Sequence, residues 1–204
     1  LAARFARRLK KNHSVVTIAE SCTGGLLTST LTDISGSSKW FKQAWIVYSN
    51  EVKEKTLGVD KAILDEKGAV NEEVAEQMAK GALDLASADF SIAITGIAGP
   101  KADDTDKEVG LVYVSISTKE SNKNWTRSTI FSGGRHENKL AFVIFALRMA
   151  IDIWDLIKEK ESSQISEDEG IEEEEEKNNE KVNDESETDD EIDTDDPWGG
   201  HLGP

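Results

Sequence analysis

The chain has 204 residues and a formal net charge of −16, unevenly placed: residues 1–157 hold 20 Lys and Arg against 20 Asp and Glu, residues 158–204 hold 4 against 20. A neutral stretch of that size buries roughly 70% of its unfolded surface, enough for one core. The single cysteine, Cys22, excludes an intramolecular disulfide, and no run reaches the length of about 18 apolar residues that a membrane span requires.

The basic start, residues 1–11, places Ala3, Phe5, Ala6 and Leu9 on one side of a helix, which argues for packing on the domain over targeting. Val15-Val16-Thr17-Ile18 follows as a strand rich in β-branched residues, then a turn at 19–25 and a helix from Leu26 to Leu31. Trp45-Ile46-Val47-Tyr48 predicts a second strand, and Asn50 a helix cap with Gly58 beyond that helix's end. Asn71 opens a helix with Val74, Met78, Ala82 and Leu85 at helical spacing, and Phe90 to Thr95 is a buried strand. Leu111 to Ser117 and Trp125 to Phe131 pair as a hairpin. A last helix runs from Arg135 to about Lys158 on a stripe of Leu140, Val143, Leu147, Ile151, Trp154 and Ile157. This order predicts an α/β fold, a three-layer α/β/α sandwich on a mixed, mainly parallel sheet. One domain over 1–160 precedes a disordered acidic tail over 161–204, too poor in apolar residues to offset its ordering entropy. Within that tail, Trp198 is a candidate partner anchor.

The turn Ala19-Glu20-Ser21-Cys22-Thr23-Gly24-Gly25 is where chemistry is expected. Its glycines permit a sharp bend and close ligand approach. A helix opening there aims unpaired N–H groups and a positive dipole end into the turn. Alternatively Ser21 or Thr23 simply caps that helix. Gly96-Ile97-Ala98-Gly99-Pro100 ends another strand and can form a backbone nest for a phosphate or a sugar edge, or merely a turn. Arg135, opening the last helix, can grip a phosphate bidentately. None of the three histidines lies in a catalytic or metal-ligand motif, and Asp103, Asp104 and Asp106 are expected in a solvated loop, so no metal or other cofactor is expected.

AESCTGG, together with Tyr48-Ser49-Asn50-Glu51-Val52-Lys53, Gly68-Ala69-Val70-Asn71, the 96–100 loop, Val109-Gly110 and Phe131-Ser132-Gly133-Gly134-Arg135, resembles in order the CinA C-terminal family of nicotinamide-nucleotide amidohydrolases. The resemblance covers residues 5–157. It implies deamidation of nicotinamide mononucleotide to nicotinate mononucleotide and ammonia, with Ser21 as nucleophile, Lys53 as general base and the Tyr48 hydroxyl relaying or orienting the proton. Thr23, Gly24, Gly25, Asn50, Gly96, Ala98, Gly99 and Arg135 are the candidate substrate contacts. A lysine acting as base at neutral pH must lose about three units from its normal pKa; the helix start near Asn50 supplies a small part of this and desolvation the rest. Cys22 is a rival nucleophile by its chemistry, but adjacent side chains diverge, and it is expected to be a buried packing residue. Two departures from the family stand out: Lys107-Glu108-Val109-Gly110 replaces Lys-Pro-Val-Gly, and Gly133-Gly134-Arg135 replaces Gly-Asp-Arg, removing a carboxylate beside Arg135. Other readings are a non-catalytic nucleotide-binding module whose acidic tail recruits a partner, and an amidase for a different amide. The expected setting is cytoplasmic and the expected assembly a homodimer, with a small-molecule nucleotide as partner and neither nucleic acid nor membrane.

Overall fold

A computed structural model of the chain describes residues 1–101 and 106–185, with side chains as far as Ser163 and excepting Asn122. Asp103, Asp104 and Trp198 lie outside the described residues. The chain divides into two units, Leu1–Leu156 and Ile157–Pro204. Among the described residues no helix is long and apolar enough to cross a membrane.

The first unit holds five strands: β1 (Val16–Glu20), β2 (Phe41–Ile46), β3 (Phe90–Gly96), β4 (Leu111–Thr118) and β5 (Ser121–Ile130). They form one sheet in the order β2-β1-β3-β4-β5. β1 runs parallel to both β2 and β3, while β4 is antiparallel to β3 and β5 to β4. The expected mixed sheet is therefore present, with the hairpin at one edge. The helices are α1 (Ala2–Lys11), α2 (Leu26–Thr32), α3 (Asn50–Leu57), α4 (Lys61–Lys67), α5 (Glu72–Ala86) and α6 (Arg135–Glu185).

Strand alternation gives the sheet two unlike faces. On one, Ser91 Oγ donates to Ala79 O of α5 at 2.7 Å, Thr95 Oγ1 to Ala69 O at 2.7 Å, and Thr126 Oγ1 to Glu76 of α5 at 3.0 Å. Small residues on strand and helix (Ala19 and Ala93 facing Ala79 and Ala82) bring α5 close, and α3 and α4 complete the cluster with Leu57, Val59 and Leu64. The other face carries bulk: Phe90, Phe5 of α1 and Trp154 of α6 stack with ring centroids 5.4–6.3 Å apart. A bidentate Arg8–Asp155 pair, 2.6 and 2.8 Å, ties α1 to α6 at the surface, where such pairs contribute under about 1 kcal/mol.

Several boundaries differ from the sequence reading. β2 begins at Phe41 and ends at Ile46, four residues earlier than expected at its start. It is an edge strand with no clean alternation of buried positions, so its pattern hides it. α4 went unread; Asp60 caps it by accepting from Ala62 N–H at 2.8 Å. Ser49, and not Asn50, caps α3 through Val52 N–H. Ala3 and Leu140 are exposed. α6 continues past Lys158 to Glu185. Glu and Lys are good helix formers, Gly170 is the one glycine in that stretch, and the next proline is Pro197.

Candidate active site

β1 and β3 end side by side, and the two glycine loops leave the sheet from their carboxyl ends, where ligands of open α/β sheets bind. Ser21 N–H donates to Ile94 O at 3.0 Å, stitching the first loop to β3, and Gly24 N–H returns to Ser21 O at 3.1 Å. Ser21 is 7% exposed and Lys53 is 0% exposed. The Lys53 amine lies 3.1 Å from Ser21 Oγ, 2.9 Å from Val47 O and 3.1 Å from Tyr48 O. Lys53 reaches this position because Ser49 starts α3 immediately after the β2 segment, so the first helical turn hangs the side chain back under the strand end. The two carbonyls can only accept, so the amine donates to both, and its third contact is with the serine hydroxyl.

The sequence reading aims the free N–H groups at the start of α2 at a ligand. The structure corrects this. Glu20, fully buried at the end of β1, accepts from Gly25 N at 3.0 Å, Leu27 N at 3.1 Å and Thr28 N at 2.7 Å, and from Thr28 Oγ1 at 2.6 Å. The chain's own carboxylate thus fills the anion seat at the start of α2. Neither Ser21 nor Thr23 caps the helix; the N-cap is Gly25, in the left-handed region at φ 93°. The sequence motif by itself gives Glu20 no role. Its signal was a carboxylate closing a strand just before a helix start.

Thr23 is 0% exposed and its Oγ1 has no hydrogen-bond partner, an arrangement that costs about 1–3 kcal/mol. Tyr48 is 59% exposed; its carbonyl holds Lys53 while its hydroxyl accepts from Arg135 Nη2 at 2.9 Å. Tyr48 therefore stands at the mouth of the site, its hydroxyl turned to Arg135. Asn50, the first residue of α3, is exposed. Gly96 is part of β3 opposite Val112, and a Cβ there would lie 2.6 Å from Leu111 O and 3.3 Å from Cys22 Sγ. Packing within the sheet thus explains this glycine without a ligand. Ala98 O accepts from Asn138 Nδ2 at 3.1 Å and Gly99 O from Arg135, so these loop carbonyls dock α6. Asn138, fully buried, also accepts from Gly133 N–H at 2.9 Å; the sequence reading missed it, since an isolated amide on a helix carries no motif. Among the described residues no cluster of His, Cys, Asp and Glu is built to hold a metal ion.

Cys22 is 6% exposed, and burial pushes its thiol up to about 12. A thiol held neutral at physiological pH is a poor nucleophile. We expect Cys22→Ala to keep most of the turnover, and iodoacetamide at neutral pH to leave the folded chain unlabelled within the time it labels the denatured chain. Rapid alkylation that also kills activity would reinstate Cys22 as a nucleophile.

The fold is that of a three-layer α/β protein whose candidate site sets a serine in a strand-to-helix turn against a buried lysine one crossover away. The chain belongs to the CinA C-terminal domain family, whose model matches residues 1–153. It is 46% identical over 149 residues to a CinA-like protein of Chlorobium chlorochromatii, covering 73% of this chain and 34% of that protein. It is 40% identical over 148 residues to the nicotinamide-nucleotide amidohydrolase PncC of Escherichia coli, covering 72% of this chain and 89% of that protein. The chain thus spans about a third of the length of the CinA-like relative. Among solved structures it resembles a competence/damage-inducible protein from Agrobacterium tumefaciens, with a TM-score of 0.71 and 39% identity over 74% of this chain and 92% of that one.

Proposed function

We propose that this chain is an amidohydrolase that converts nicotinamide mononucleotide and water to nicotinate mononucleotide and ammonia through Ser21 and Lys53. The observation that carries the reading is the 3.1 Å contact between Ser21 Oγ and the amine of fully buried Lys53; two relatives matched over 92% and 89% of their own length carry the nicotinamide-nucleotide amidohydrolase name. Burial disfavours the charged amine, leaving a lone pair to take the serine proton. Ser21 Oγ then attacks the carboxamide carbon. The Lys53 ammonium returns that proton to the departing nitrogen, ammonia leaves, and an acyl-serine remains. Water attacks the acyl carbon, gives its proton to Lys53, and the released Ser21 oxygen recovers it. Oxyanion donors come from the same turn. The amides of Ser21, Gly24 and Gly25 already have partners within the chain, so any donor from this turn is one of the remaining amides. Tyr48 and Arg135 border the entrance and meet the rest of the nucleotide. We place the reaction in the cytoplasm, where the lone thiol stays reduced, and expect a homodimer.

The test is ammonia release, with the product identified as nicotinate mononucleotide, over a panel of nicotinamide mononucleotide, nicotinamide riboside, free nicotinamide, NAD and glutamine. We expect turnover to be fastest on the mononucleotide. Binding of the mononucleotide without ammonia release would make the chain a nucleotide-binding module instead, and faster release from glutamine would assign it another amide.

A further inference from the structure

The nucleotide-amidase reading leaves the phosphate of the substrate to be placed, and one obvious seat is occupied. The start of α2 is filled by Glu20, and at the loop 96–100 the Ala98 and Gly99 carbonyls draw Asn138 and Arg135 of α6 against the loop. Opposite both loops, the first turns of α6 carry Arg135 and Lys139, four residues apart and hence on one face, about 6 Å apart along the helix axis. Each cation stands against one of the glycine loops. Arg135 donates to Gly99 O, and Lys139 Nζ lies 3.6 Å from where a Cβ on Gly24 would be. Gly24, at φ +62°, has no side chain to hold that amine off the turn that carries Ser21. Among the described residues neither cation is paired with a carboxylate. Gly134, just before Arg135, brings no carboxylate, and the Glu137 carboxylate turns back to accept from Gly134 N–H. Asn138, between them, locks the helix turn to both neighbouring loops. Arg135 is thus held by two hydrogen bonds, Lys139 lies beside the Gly24 turn, and neither has a carboxylate within ion-pair distance among the described residues.

We infer that Lys139, acting with Arg135, seats the phosphate of the substrate and so selects phosphorylated nicotinamide nucleotides over the nucleoside. Arg135 supplies a planar fork for two phosphate oxygens and Lys139 a point charge for a third. This rests on the nucleotide-amidase reading, so the test pairs a binding measurement that needs no turnover with a kinetic one. Ribose 5-phosphate is titrated calorimetrically into the full chain and into Lys139→Gln and Lys139→Arg. The expected result is at least about tenfold weaker binding in Lys139→Gln, the lower end for a hydrogen bond to a charged group, with most of the affinity restored in Lys139→Arg. In parallel, kcat/KM for nicotinamide mononucleotide falls by a similar factor through KM, while that for nicotinamide riboside is unchanged. Equal ribose 5-phosphate affinity in all three proteins overturns the assignment. So does an equal loss on mononucleotide and riboside, which would move Lys139 to the reacting carboxamide. If the chain releases no ammonia from the mononucleotide while ribose 5-phosphate still binds more weakly to Lys139→Gln, the phosphate seat stands and the deamidase reading falls.

Discussion

Lys53→Met and Ser21→Ala are each expected to lower ammonia release by about three orders of magnitude or more, and the double variant to be no slower than either single one. The reason is that serine and amine act as one device. Without the amine, Ser21 faces a carboxamide with no acceptor for its proton; without the hydroxyl, the amine has nothing to activate. Groups that act as a unit show this strong non-additivity, with losses of roughly 10³–10⁶ for a single removal. Lys53→Arg should not rescue the rate. Guanidinium stays protonated and cannot take the serine proton, and its larger head does not fit a position fully closed from solvent beneath Val47 O and Tyr48 O. Single-turnover ammonia release, with circular dichroism confirming the fold, decides the matter. Retention of more than a tenth of the rate in either single variant, or a further large drop in the double, would remove the pair from the mechanism.

Glu20→Ala should be the most damaging substitution for stability near the site. It deletes one carboxylate and strands four donors: the amides of Gly25, Leu27 and Thr28 and the Thr28 hydroxyl. An unsatisfied buried donor costs about 1–3 kcal/mol, and water entering the vacated space recovers part of this. A net loss of about 3 kcal/mol, read as a fall in Tm of about 6–12 °C for a domain of this size, is the expected outcome. Because the same carboxylate fixes the turn that presents Ser21, turnover at a temperature where the variant remains folded should fall by at least about 100-fold, as small misplacements of a reacting group do. Glu20→Gln keeps the shape but turns an NH₂ group toward backbone donors, so it should fall between wild type and alanine on both scales. A Tm within 2 °C of wild type for the alanine variant would show that Glu20 does not hold the turn.

Element order and the glycine loops were legible because apolar runs, glycines and caps are local signals. β1, β3 and β4 are buried strands whose residues betray them, whereas β2 lies at the sheet edge with a broken pattern. The site divided along the same line. Ser21 and Lys53 could be named because they sit in recognisable motifs, and the structure brings them together. Glu20, Asn138 and Lys139 act through contacts with partners distant in space or along the chain. The inward turn of Glu20, the two-loop bond of Asn138 and the approach of Lys139 to Gly24 depend on a packing that no spacing rule expresses. Gly96 shows the converse, a motif glycine whose reason is the backbone of β4 pressed against it.

Ser21 and Lys53 come from the early part of the chain, while Arg135 and Lys139 come from α6. On the proposed reading, bond-breaking and phosphate choice are written in two separate portions of the chain. Drift in the opening turns of the last helix could then retune which phosphorylated ligand is admitted while the cutting apparatus passes unchanged from one descendant to the next.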